Sequence, residues 1–126
     1  MTRLPSHSKY GAVKTQLDGH KFDSKMEAEF YAELQIRMKA GEIVDIILQP
    51  RYELEPRHIL RRTEVVNPID YLADFEVHYS DGRVEAVDVK GKIMDTFALK
   101  QRLFKSRYPD IPLRVVRKKG KEWVDL

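Results

Sequence analysis

Apolar positions recur along this chain with two different periods, and the changes between them divide it into elements. From Ser24 to Ala40 the spacing is helical: Glu27, Phe30, Tyr31, Leu34 and Met38 share one stripe, with Glu29 and Glu33 on the far side. Ser24 is an N-cap residue with Glu27 three positions on, and Gly41 is a C-terminal stop, so a helix over 24–40 is predicted. Asp95–Tyr108 has the same period, with Phe97, Phe104 and Tyr108 on one side and Pro109 at its end. The remaining apolar segments read as strands. Ile43–Leu54 is one, interrupted at Pro50; Ile69–Tyr79 and Arg83–Lys90 form a hairpin around Ser80-Asp81-Gly82; Pro112–Val116 is the last. Lys9–Phe22 alternates mildly about Asp18-Gly19, which predicts a short two-stranded flap. Pro56–Pro68 reads as a mobile connector and Arg117–Lys121 as a basic tail.

The order helix, three strands, helix, strand predicts an α/β fold, a mixed sheet flanked by helices. At 126 residues the chain suits one domain over 1–126, with 1–22 as the flap and 117–126 as the tail. Hydrophobic residues at 42% and charged residues at 34% fit a globular rather than a disordered chain. The lack of cysteine excludes disulfides, thiolate metal sites and a cysteine nucleophile, and suits a reducing compartment. With no apolar run of membrane-spanning length and a polar start, the expected location is the cytoplasm, with no membrane partner. Charge is uneven. Residues 1–88 hold 12 Lys+Arg against 16 Asp+Glu, a balance of −4, whereas 89–126 hold 11 against 4, a balance of +7. A basic final third suits a polyanion, although a solvated basic face is common.

Strand register gives the sharpest chemical clue. In Ile69–Tyr79 one face carries Tyr71, Ala73, Phe75, Val77 and Tyr79, and the other Leu72, Asp74, Glu76 and His78. In Arg83–Lys90 one face carries Val87 and Val89, and the other Ala86, Asp88 and Lys90. A two-residue loop would mix apolar and charged side chains on both faces. A three-residue loop with Gly82 left-handed sets Phe75 opposite Val87 and Asp74 opposite Asp88, keeping one face apolar, and is the register expected. Two carboxylates then face each other, with Lys90 two residues on. Facing like charges repel, and a divalent cation relieves this most directly; Mg²⁺ takes one or two carboxylates with water and phosphate oxygens. A lone Asp-x-Lys also arises by chance on solvated strands. Glu27 adds an independent line, because it lies on the core-facing stripe of the first helix. It completes a capping box with Ser24, and capping alone would explain it; yet burying a carboxylate costs several kcal/mol, an order-of-magnitude figure, unless partners or a cation offset it.

At these residues the chain resembles the PD-(D/E)xK nuclease superfamily. The matching stretches are Ser24-Lys25-Met26-Glu27, Tyr71-Leu72-Ala73-Asp74-Phe75 and Asp88-Val89-Lys90-Gly91, with Ala73 where the eponymous proline would stand. More narrowly it resembles a phage-encoded family similar to Holliday junction resolvases, on Lys9-Tyr10-Gly11, Phe22-Asp23-Ser24-Lys25, Leu48-Gln49-Pro50 and Val87-Asp88-Val89-Lys90-Gly91. The resemblance implies a restriction-endonuclease-like αβββαβ core and a Mg²⁺-dependent DNA endonuclease selective for branched DNA, with Mn²⁺ able to substitute. Its catalytic residues would be Glu27, Asp74, Asp88 and Lys90. Asp74, Asp88 and the Val89 carbonyl would hold the metal, and Glu27 would bind a second ion or orient a metal-bound water. Lys90 would act on the attacking water or the scissile phosphate, and the products would carry 5′-phosphate and 3′-hydroxyl ends. A homodimer is the implied assembly, in the cytoplasm of a bacterial host for a phage-encoded chain. Activity on linear or single-stranded DNA, or a non-catalytic DNA-binding module, are the competing readings.

The expected DNA contacts are Lys9, Lys14 and Lys21 in the flap, Arg61 and Arg62 in the connector, and Lys92 and Lys100 around the second helix. A polar exterior explains the flap lysines nearly as well, and Lys100 fits an exposed helix shoulder. His78 lies on the Asp74 face but about 13 Å along the strand, so a surface role is expected. Asp70 is expected to cap a turn after Pro68, and Trp123 to anchor the tail.

Overall fold

The helix that begins at Ser24 shows why the local signals work. In this computed structural model, which describes residues 15–17, 19–22, 24–60, 64–91 and 93–126, Ser24 has extended backbone and its hydroxyl oxygen accepts the Glu27 amide at 3.1 Å. Two short antiparallel strands precede it, β1 (Thr15–Leu17) and β2 (His20–Phe22), paired Leu17 to His20 with Gly19 at positive φ. They match the described part of the expected flap; Lys9–Lys14 lie outside the described residues. Helix α1 (Lys25–Lys39) buries Glu27, Phe30, Tyr31 and Leu34 of the stripe read from the sequence, together with Ala28; Met38, the last of that stripe, is half-buried against the same core, and Gly41 beyond the helix takes φ +85°.

The strands that follow are β3 (Ile43–Leu48), β4 (Arg51–Glu55), β5 (His58–Leu60), β6 (Glu64–Val66), β7 (Ile69–Leu72), β8 (Phe75–Tyr79) and β9 (Val84–Val89). After them come α2 (Asp95–Arg107), β10 (Leu113–Lys119) and β11 (Glu122–Asp125). Five strands form the central sheet in the order β11-β10-β9-β8-β3. Among the described residues only β9 and β10 run parallel, and α2 connects them, as parallel neighbours require a crossover. Within this sheet and its helices the order is α1, β3, β8, β9, α2, β10, β11: a mixed α/β fold as expected, with β11 one strand beyond the expected order. Both faces are covered, which is why Ala86–Val89 are buried without a break. On one face α1 packs Ala28, Phe30, Tyr31 and Leu34 against Phe75, Val77, Val87, Val89 and Val116. On the other, Phe97 and Phe104 of α2 meet Tyr52, Leu54, Tyr71, Ala73, Ala86 and Val115.

The β8–β9 register is the expected one. Phe75 pairs with Val87, the loop is Ser80-Asp81-Gly82, and Gly82 has φ +93°. A Cβ there would meet nothing within 4 Å, so Gly82→Ala would cost conformational energy alone. We expect about 1–2 kcal/mol of lost stability in urea unfolding, the usual left-handed penalty.

Four expectations are corrected. Ile69–Tyr79 is two strands: β7 pairs with β4 and β8 with β9, so Tyr71 and Ala73 join the α2-side core while Phe75, Val77 and Tyr79 join the α1-side core. The chain changes partners at Ala73, whose amide donates to the Pro50 carbonyl (3.2 Å), while the next amide, Asp74, donates to Val87 (3.1 Å). The connector 56–68 contains an antiparallel ribbon, β5–β6, pairing Ile59 with Val65; its two prolines lie outside the ladder, where the missing N–H does no harm. The basic tail is the end of β10, a turn at Gly120 and β11. Trp123 anchors it edge-on to Phe30 with centroids 4.9 Å apart, and Lys118 Nζ reaches Glu29 at 2.7 Å. Glu29 therefore does not face bare solvent, and Lys118 holds its carboxyl below the usual range. What this pair contributes is present at neutral pH and is lost as pH falls through that lowered value. Finally, Asp70 lies inside β7 and pairs with Arg51 of β4 rather than capping a turn.

Candidate functional site

The point where the chain leaves the β4–β7 pair for the central sheet sets the site. Asp74 sits at that step, held by backbone bonds on both sides: its carbonyl accepts the Gln49 amide (3.0 Å), and its amide donates to the Val87 carbonyl. Gln49 itself is left-handed, φ +51°, directly before Pro50, a strained conformation for a non-glycine residue. The same Asp74 amide also donates to Asp88 Oδ1 (3.1 Å), and the Val89 amide donates to Asp74 Oδ2 (2.8 Å). The two carboxylates are thus locked to each other's strand. Asp74 is 5% exposed and Asp88 1% exposed. These amide donors offset part of the cost of burying the two carboxylates.

Lys90 follows on the same strand. Its amide continues the parallel ladder, donating to Val116 (2.9 Å), and its ammonium lies 4.8 Å from the centroid of Phe97 in the first turn of α2. It makes no ion pair among the described residues. Glu27 is buried in the first turn of α1 at 8% exposure, with its amide satisfied by Ser24. The structure therefore joins Asp74 and Asp88 directly, places Lys90 beside them in sequence on β9's end, and buries Glu27 in the α1 layer that packs on Val87 and Val89.

Glu76 lies one pleat along from Asp74. Its Oε1 accepts from the Tyr52 hydroxyl (2.6 Å), and its Oε2 is 2.7 Å from His78 Nε2. With both oxygens engaged, Glu76 belongs to a polar network rather than to the Asp74–Asp88 pair. Burial first, and the Glu76 hydrogen bond second, push the Tyr52 hydroxyl well above its ordinary value, so it remains a neutral donor. His78, expected at the surface, has a side chain 32% exposed and pairs with Glu76. A cavity of about 590 Å³ lies at the turn end of β8–β9, bordered by Glu76, His78, Glu85 and Asp110, and neither Asp74 nor Asp88 lines it. Of the expected DNA contacts, Lys9, Lys14, Arg61, Arg62 and Lys92 lie outside the described residues, as does the side chain of Lys21; Lys100 is exposed on α2.

Among the described residues, no three His, Asp or Glu side chains gather into a ready-made metal cage. The donor set is two buried, facing carboxylates, which fits a hard cation that completes its shell with water and phosphate oxygens. Millimolar Mg²⁺ or Mn²⁺ is accordingly expected to raise the melting temperature. At a hundred times the dissociation constant, one site contributes about 2.7 kcal/mol. Asp88→Asn keeps an oxygen for the Asp74 amide but removes one charge, so it should abolish most of the shift and raise the stability of the metal-free protein. Thermal scans of both proteins with and without metal measure this; an unmoved wild type contradicts the site.

Two neighbours leave no signal in the sequence, the Phe97 ring over Lys90 and the Tyr52–Glu76–His78 network. Phe97 is visible as an apolar stripe residue, but its ring–ammonium contact spans two elements and leaves no pattern in either. Among the described residues no helix is long and apolar enough to cross a membrane. No curated protein matches the chain. The family described as protein of unknown function DUF1064 matches residues 7–122, nearly the full length and including every candidate residue above, and the chain belongs to that family.

Proposed function

We propose that this chain is a Mg²⁺-dependent DNA endonuclease, acting on branched DNA in phage recombination or processing within a bacterial host's cytoplasm. The single observation that carries the reading is the interlocked, buried pair Asp74–Asp88 with Lys90 two residues on. Chance surface charges would not be 95% or more removed from solvent with backbone amides committed to them. The order of elements and the likeness to PD-(D/E)xK nucleases support the same reading.

In this reading Asp74, Asp88 and the Val89 carbonyl hold the metal, and Glu27 orients the attacking water or holds a second ion. Bound there, Mg²⁺ would acidify that water and polarise the phosphoryl oxygen. Lys90 supplies a fixed positive charge where the phosphate gains negative charge. The basic final third, with Lys100 exposed on α2, holds the DNA backbone.

The test is cleavage of four-way, flapped and linear DNA, with and without Mg²⁺, by wild type and Asp88→Ala. Metal-dependent cutting that prefers the four-way substrate and is lost in Asp88→Ala supports the proposal. Equal cutting of linear DNA keeps a nuclease but removes branch selectivity, and binding without any cutting leaves a DNA-binding module. Symmetric resolution of a junction needs two active sites and the proposed chain offers one, so a homodimer is expected. Light scattering of the protein free and with junction DNA checks this, and a monomer in both states removes the resolvase reading while sparing the nuclease.

A further inference from the structure

Lysine carries its charge on a flexible stem with four carbons, and an ammonium beside two carboxylates would ordinarily swing toward them. Lys90 does not pair that way among the described residues; its Nζ rests 4.8 Å from the Phe97 centroid. The ring is itself fixed. Phe97 is 8% exposed, sits in the first turn of α2, and packs on Tyr71 (centroids 6.1 Å), which in turn meets Phe104 edge-on at 5.6 Å. Phe104 is fully buried. A ring face attracts a cation through its quadrupole without neutralising it, unlike a carboxylate.

From this we infer that Phe97 is a positioning residue for Lys90. It parks the ammonium away from Asp74 and Asp88, with its charge unspent and available to a phosphate. The inference rests on the nuclease reading and adds to it a residue on another element. It also explains why the first turn of α2 carries a buried aromatic: Tyr71 of β7, three residues before Asp74, braces the ring that restrains Lys90, so the segment leading into one carboxylate also supports the cation.

The experiment compares wild type, Phe97→Leu, Phe97→Tyr and Lys90→Ala. Phe97→Leu keeps the apolar volume roughly constant and so should keep the fold. It is expected to lower kcat on DNA about tenfold with KM nearly unchanged, a ring–cation contact in a partly dry site being worth about that factor. Phe97→Tyr, which retains the ring face, should restore kcat. In a Lys90→Ala background Phe97→Leu should have no further effect. Independently of cleavage, the Lys90 ε-methylene protons should be shifted upfield by the ring in wild type and Phe97→Tyr, and lose that shift in Phe97→Leu. A wild type that cuts DNA while Phe97→Leu keeps full kcat overturns the inference and spares the nuclease. A wild type that never cuts overturns the nuclease reading, and the inference with it. An ε-methylene shift that is absent from wild type, or unchanged in Phe97→Leu, overturns the inference whatever the activity.

Discussion

In the proposed nuclease, Lys90→Ala is expected to lower kcat by about 10²- to 10³-fold while metal and DNA binding stay near wild type. The split follows from where the charge acts. Asp74 and Asp88 hold each other's strands through the Asp74 and Val89 amides and need nothing from Lys90 to stay in place. The metal-induced rise in melting temperature should therefore survive the substitution. Ground-state phosphate binding draws on many basic side chains, whereas Lys90 matters most as the scissile phosphate gains charge, so the loss belongs in kcat. Single-turnover cleavage at saturating protein, beside a DNA-binding titration, separates the two. A mutant that cuts at nearly the wild-type rate would reduce Asp88-Val89-Lys90 to a buried structural motif.

The second large effect is at Glu27, where capping and catalysis forecast opposite results for one isosteric change. Ser24 caps the helix by accepting the Glu27 amide, a bond that does not involve the Glu27 carboxylate. As a capping residue alone, Glu27 is replaceable by Gln, which also completes the box. As a group that orients a reacting water, it is not, and Glu27→Gln should cost about 10²-fold or more in kcat with the fold intact. Its burial at 8% exposure in the first turn favours the second forecast, since capping requires no burial. Glu29→Gln is the control. It weakens the contact with Lys118 and so trims stability slightly, while leaving cleavage unchanged. Equal rates for Glu27→Gln and wild type at saturating Mg²⁺ would remove Glu27 from the site.

What the sequence made legible was local. Ser24, Glu27 and Gly41 bounded α1 because caps act within one turn, and Gly82 fixed the β8–β9 register because only one loop length keeps an apolar face together. From that register alone came the facing aspartates, before any contact was known. The break at Ala73 was illegible for a definite reason. Tyr71, Ala73, Phe75 and Val77 keep a perfect alternation, yet the sheet is buried on both faces, so alternation cannot say which core each residue joins. The switch from β4 to β9 is decided by long-range partners. In β5–β6 the prolines at 56 and 68 outweighed the strand-forming Ile59, Val65 and Val66, and in β10–β11 the density of lysine concealed the outward side of a hairpin whose inward anchor is Trp123. Lys90's aromatic neighbour belongs to the same class, a contact between a strand end and a helix start that no single period records.

The measurement closest to the central claim is cleavage of end-labelled four-way DNA by purified wild type and Asp88→Asn, with Mg²⁺ and with EDTA, followed by analysis of the new ends. Wild type is expected to cut only with Mg²⁺, leaving 5′-phosphate and 3′-hydroxyl ends, and Asp88→Asn to lose at least about 10³-fold. Cutting that persists in EDTA, or an Asp88→Asn protein as active as wild type, would contradict a metal centre at Asp74 and Asp88.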